Sequence, residues 1–292
     1  MKAIETVSLT KYYGKKRGIE GVDLSVDSGD FFGFIGPNGA GKSTTIRTLL
    51  GLIKPTSGEA RILGKDTRGE LCEILKNVGY LPSETVFYRG MKVAEILRLS
   101  AKLRGLDTSK EAAELCERLQ LDTDKKVEEL SFGNRKKLGI ICALQHKPSL
   151  YILDEPTSGL DPLMQREFYA ILKERNAEGA TVFLSSHVLS EVSRYCKTAA
   201  VIRDGRIIAC DSVGALGHTG VKRVTLRGLK GTLELSGIRD VKTEGDTASF
   251  LYGEGSRSLA EKLSSLDFED FTVTDPDLEE VFLHYYGKEA TK

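Results

Sequence analysis

The chain has 292 residues, room for two domains at about 150 residues each, with 40% hydrophobic and 29% charged residues. Lys plus Arg and Asp plus Glu both number 42, and the resulting zero net charge argues against a general nucleic-acid binder, which needs basic excess to displace counterions. The longest apolar runs, such as Leu138–Leu144, fall far short of the roughly 20 residues of a membrane-spanning helix. The N-terminal MKAIETVSLT has no apolar signal core, and five cysteines without a CxxC pair read as reduced thiols of a cytoplasmic protein.

In chain order, Asp30–Ile35 is the first apolar strand. It runs into the glycine-rich segment Gly36-Pro37-Asn38-Gly39-Ala40-Gly41-Lys42-Ser43-Thr44 and then the helical run TTIRTLL. Met91–Leu103 has helical spacing, and Thr108 with Glu111 reads as a capping box opening a helix through Gln120. These two helices form an expected insertion at about 85–130. Ser131 then stands as the N-cap of the helical run RKKLGIICALQ. Strands are expected at Leu150–Leu153, Thr181–Leu184 and Thr198–Ile202. This alternation is the signature of an α/β domain on a largely parallel sheet.

Near Gly214, Gly217 and Gly220 the pattern breaks, and these glycines read as a linker. Residues 1–214 are therefore expected to form the main domain and 215–292 a small α+β accessory domain. In the latter, strands are expected at Arg223–Leu226, Ala248–Tyr252 and Phe271–Val273, with helices at Arg257–Leu266 and from Pro276. No repeat or sustained heptad pattern occurs.

The segment 36–44 fits G-x-x-x-x-G-K-[ST] in the strand–loop–helix setting that motif requires. Glycines let successive N–H groups turn toward a phosphate, aided by the positive helix end. Lys42 is placed to reach β- and γ-phosphates and Ser43 to ligate Mg²⁺. Tyr151-Ile152-Leu153-Asp154-Glu155 is an apolar strand ending in two acids, where open parallel sheets hold ligands. Asp154 is expected in the Mg²⁺ shell and Glu155 beside an attacking water, a role typically giving about 10²–10⁴-fold.

With these motifs in place, residues 3 to 210 resemble the nucleotide-binding subunit of ABC transporters, a P-loop NTPase core with a helical insertion. The resemblance implies further roles. Ser158-Gly159-Leu160-Asp161 matches the D-loop, so Asp161 would help couple two ATP sites across a dimer. Ser185-Ser186-His187 matches the switch, with His187 on the γ-phosphate. Leu130-Ser131-Phe132-Gly133-Asn134 stands where the signature LSGGQ stands, so Ser131 and Gly133 would meet ATP held by the partner subunit. Tyr13 occupies the position of the ring that stacks on adenine, with Tyr12 as its neighbouring alternative. Two departures stand out. Ser83 replaces the Gln that touches Mg²⁺ and the attacking water, with Glu84 as an alternative source of coordination, and Phe132 and Asn134 replace Gly and Gln in the signature.

The resemblance implies an ATP- and Mg²⁺-dependent ATPase working with a second copy or a paralogous subunit. A membrane-spanning permease on another chain would hold it at the inner face of the cell membrane. Glu84–Ile96, with Phe87 and Tyr88, is where the permease's coupling helix would be received. The run Pro276–Phe282 resembles the end of drug- and peptide-exporter ATPases and favours export over uptake. Soluble superfamily members and a non-hydrolysing nucleotide switch are the alternatives. A single P-loop and the lack of a coiled coil count against the first, Glu155 and His187 against the second. Small-molecule kinases and GTPases lack the signature and D-loop order.

Overall fold

The computed structural model describes residues 1–217, 221–231, 233 and 235–274. The chain divides into two compact units, Met1–Cys210 and Asp211–Lys292, a few residues ahead of the boundary expected at 214/215.

The first unit opens with two long strands, β1 (Lys2–Tyr13) and β2 (Lys16–Asp27), paired antiparallel. Every second residue over much of their length is buried, including Ile4 and Thr6 in β1 and Val22, Leu24 and Val26 in β2, as a sheet with one covered face demands. There follow β3 (Phe31–Ile35), α1 (Lys42–Leu49), β4 (Ser57–Ile62), β5 (Lys65–Asp66), α2 (Leu71–Lys76) and β6 (Val78–Leu81). The insertion carries α3 (Val93–Leu103), α4 (Ser109–Arg118) and a 3₁₀ turn at Val127–Glu129, then α5 (Phe132–Leu144). The unit continues with β7 (Leu150–Asp154), α6 (Pro162–Ala177), β8 (Thr181–Ser186), α7 (Leu189–Tyr195), β9 (Thr198–Arg203) and β10 (Arg206–Ser212), the last running across the division.

Two sheets result, one in the order β2-β1-β4-β5 and one in the order β10-β9-β3-β8-β7-β6. In the second, β3 runs parallel to β8 and β9, and β7 runs parallel to β6 and β8. The register sets Ile35 beside Ser186, Asp154 beside Ser185 and Leu81 beside Leu153. The loops after four strands therefore leave from one edge of the sheet. β3, β7 and β8 are buried along their whole length, which is why they read as continuous apolar runs. The Phe32 and Phe183 rings stack with centroids 5.7 Å apart inside this core.

The expected capping box at Thr108 is not formed. Thr108 Oγ1 donates instead to Oε1 of buried Gln145 at 3.0 Å, and the Asp107 carboxylate accepts the Ser109 N–H at 3.0 Å. Glu111 turns inward to pair with Arg175 and with Lys147. The helix ends at Arg118, before the expected Gln120, which adopts a left-handed φ of 52°.

In the second unit, α8 (Val213–Gly217) is helical where the glycines suggest a linker. Then come β11 (Lys222–Arg227), β12 (Ile238–Glu244), β13 (Thr247–Tyr252), α9 (Ser256–Leu263) and β14 (Asp270–Thr274). The strands pair antiparallel in the order β12-β13-β11-β14. Val224, Leu226, Phe250 and Tyr252 form a core with Leu259 and Leu263 of α9. The expected helix from Pro276 lies outside the described residues.

Candidate functional site

The loop after β3 is shaped by close backbone packing. A Cβ on Gly36 would lie 2.4 Å from the Ile202 carbonyl oxygen, and Gly41 takes φ 113° with Ile19 at its back. Only glycine fits either position. The chain then enters α1 with Lys42 as its first residue, so the free N–H groups of the first turn and the positive helix end face the loop. Lys42 is buried. Its Nζ donates to the carbonyls of Gly36 (2.7 Å) and Pro37 (3.2 Å) and lies 3.3 Å from Glu155 Oε1.

Asp154 ends β7 fully buried. Its Oδ1 accepts from Ser185 Oγ at 2.5 Å, while the buried Oδ2 has no hydrogen-bond partner among the described residues. Glu155 follows in the left-handed region at φ 48°, a conformation costly for a residue with a side chain. Its N–H is tied down by the Ser185 carbonyl (3.1 Å) and hydroxyl (3.3 Å). This turn brings Oε1 to 3.2 Å from Nδ1 of His187 as well as to Lys42. Ser185, which the sequence motif contained without an assigned task, thus orients both acids.

Two clefts meet at this point. One, of about 400 Å³, is lined by Tyr13, Lys16 and Arg17 of the β1–β2 hairpin together with Gly39, Lys42 and Thr44. The other, of about 640 Å³, is lined by Ser83, Glu84, Phe87, Phe132, Arg135 and Ser158 among others. Asn38, Ser43 and Glu155 line both. Tyr13 therefore shares a cleft with the phosphate loop, and Ser83 shares one with Ser43 and Glu155. The Tyr13 ring rests on Gly18, where an added Cβ would come within 2.9 Å of Cε2. Tyr12 instead has its pKa raised by burial and by the neighbouring Glu20 carboxylate. Lys16 and Arg17 were not singled out from the sequence, although the basic run after Tyr13 was a visible signal.

Ser131 caps α5, its Oγ accepting from the Asn134 N–H at 3.2 Å. Asp161 caps α6 in the same way, accepting from Leu163 (3.1 Å) and Met164 (3.0 Å). Ser131, Gly133 and Asp161 line neither cleft of their own chain. Phe132, 52% exposed, lays its ring over Gly159, and Gly133 approaches the Gly159 carbonyl so closely that a Cβ would stand 2.8 Å from it.

Among the described residues no cluster of three or more His, Cys, Asp or Glu side chains could hold a metal by itself. The unpartnered Oδ2 of Asp154 suits a hard cation shared with phosphate oxygens and a hydroxyl such as that of Ser43.

Residues 19–158 match the family described as ABC transporter. The bacitracin transport ATP-binding protein BcrA of Bacillus licheniformis is 42% identical over 211 residues, 70% of this chain and 68% of the relative. The daunorubicin/doxorubicin resistance ATP-binding protein DrrA of Streptomyces peucetius is 32% identical over 99% of this chain and 94% of its own length. Among solved structures, the dimeric post-hydrolysis state of the ATP-binding cassette MJ0796 bound to ADP and Pi aligns with TM-score 0.66 and 25% identity. That alignment covers 72% of this chain and 98% of the cassette.

Proposed function

The chain belongs to the ATP-binding subunits of ABC transporters, and we propose that it drives export by closing on ATP and Mg²⁺ against a second ATP-binding subunit. It is an ATPase subunit with the P-loop NTPase fold. No described helix is long and apolar enough to cross a membrane; in this reading the subunit works on a membrane-spanning permease partner. That permease would hold this subunit at the inner face of the membrane.

In this reading Tyr13 stacks on adenine, while the amides of residues 39–44 and Lys42 hold the phosphates. Ser43 and Asp154 would hold Mg²⁺, with Ser83 or water completing the shell. The ion would neutralise charge on the β- and γ-phosphates. Glu155 takes a proton from the attacking water, and His187 steadies both Glu155 and the γ-phosphate. The observation that carries the assignment is the convergence of Lys42 and His187 within 3.3 Å of one Glu155 oxygen. The carboxylate stands beside the cation that draws in the phosphate, and an orienting group backs it.

Ser131 and Gly133 serve the partner subunit's ATP in this account, which fits their absence from the clefts of their own chain. The partner is a second copy or a paralogue. The names of BcrA and DrrA, with bacitracin transport and drug resistance in them, support a drug or peptide as cargo. The exposed Tyr88 and Val86, next to Phe87, offer apolar contacts to the permease's coupling helix. The run Pro276–Phe282, which also favours export, lies outside the described residues.

Initial ATPase rates over a range of protein concentrations test this reading. Turnover per chain that rises with concentration is expected of a site completed by two copies, and concentration-independent turnover would contradict it.

A further inference from the structure

Helix α5 begins at the signature residues, but its second turn grips a different loop. Lys136, 1% exposed, donates from Nζ to the carbonyls of Pro82 (3.3 Å) and Ser83 (3.0 Å). Thr85 Oγ1 donates to the carbonyl of Arg135 at 3.3 Å. The Thr85 methyl is packed so tightly on the helix that a Cβ at Gly139 would lie 2.5 Å from it. Three successive contacts thus fasten the segment after β6 to α5. Burial pushes the Lys136 ammonium down to about 8, although Asp154 and Glu155 favour its charge. A buried ammonium is costly beside an apolar side chain of the same length, so stability alone is a poor reason for a lysine here.

We propose that Lys136 is a positioning residue that mounts the segment 82–85 on α5, so that Ser83, lining the larger cleft with Ser43 and Glu155, and Ser131, at the helix start, move as one body. The mount compensates for the short serine. Where a long side chain can search for its partner, a short one must have its backbone held in place. The proposal rests on the ATPase reading above; the mount itself stands apart from the Ser83 metal assignment, on which the compensation for the short serine and the magnesium readout depend.

The test uses the full chain with Lys136→Met, which keeps the length and loses the donors, and with Lys136→Arg, which keeps donors. Amide hydrogen exchange is read peptide by peptide, beside kcat, the KM for ATP and the Mg²⁺ concentration at half activity. For Lys136→Met we expect exchange over 82–86 to rise at least about tenfold, with β3 and β7 as protected as before. kcat should fall by about tenfold or more while KM for ATP moves less than about threefold, as for an interaction outside ground-state binding. Lys136→Arg should recover much of kcat.

Unchanged exchange over 82–86, or unchanged kcat, in a folded Lys136→Met variant overturns the proposal. If exchange and kcat change but the Mg²⁺ requirement does not, the mount stands and the metal role of Ser83 falls. If Lys136→Met does not fold, Thr85→Val carries the test. It removes the parallel bond, and the same local rise in exchange supports the mount, whereas wild-type exchange and kcat would overturn it.

Discussion

Lys42 Nζ stands 3.3 Å from Glu155 Oε1, so the cation of the phosphate loop and the acid that follows β7 form an ion pair at the junction of two clefts. Two loop carbonyls share the ammonium. A triphosphate seated on the loop would take Lys42 over with stronger, charge-assisted bonds. Lys42→Ala should therefore raise the Kd for ATP by about tenfold or more, the equivalent of roughly 1.4 kcal/mol. Titration calorimetry checks this, and near-wild-type affinity would remove the phosphate assignment.

Tyr13, half-exposed over Gly18, supplies a ring face to the smaller cleft, whereas Tyr12 has the Glu20 carboxylate as its neighbour. Stacking on a base is worth about 1–3 kcal/mol. Tyr13→Ala should weaken ATP binding by roughly five- to 150-fold, with Tyr12→Ala much closer to wild type. The reverse ranking would move the base to Tyr12.

Ser83→Gln introduces the longer side chain common in the family. If Ser83 reaches the ion only through water, the Mg²⁺ concentration for half activity should fall by about threefold or more. An unchanged Mg²⁺ requirement would show that Ser83 needs no help from added length.

His146 follows α5 with Nε2 3.2 Å from the Val78 carbonyl, and burial lowers its pKa to about 4. Above the unfolded value near 6.5 the ring is neutral in both states and titration costs nothing. As pH falls from there toward about 4, the unfolded chain gains a proton that the folded chain refuses, and stability drops. Allowing for partial solvent screening, the loss should reach roughly 2 kcal/mol. Urea midpoints at about pH 7 and about pH 4.5, compared with those of His146→Gln, measure it. Equal pH sensitivity in both chains would contradict the account.

What was legible in the sequence is what lies contiguous in it. The strand FFGFI, the glycine loop and Lys42 follow one another, and Asp154 and Glu155 end a run buried on both faces. The 12-residue strands β1 and β2 went unread although Val22, Leu24 and Val26 of β2 alternate visibly in the sequence, while the register shifts in their pairing interrupt the pattern along β1. Thr108 and Glu111 have the spacing of a capping box, yet Gln145 and Arg175, distant in the chain, hold both side chains. The left-handed turn at Glu155 and the grip of Lys136 on Ser83 depend on tertiary neighbours as well. Local pattern cannot carry such information. Phe132 stands out in the sequence as a departure, but its seat on Gly159 is set by tertiary packing.

The most direct test of the central claim is the molar mass in solution of Glu155→Gln, by light scattering, with and without ATP and Mg²⁺. Hydrolysis in this variant should fall by about 10²–10⁴-fold while the phosphate loop and Lys42 remain intact. The account predicts a shift from monomer to dimer only when ATP is present. A variant that binds ATP and stays monomeric, or that turns over at the wild-type rate, would contradict it.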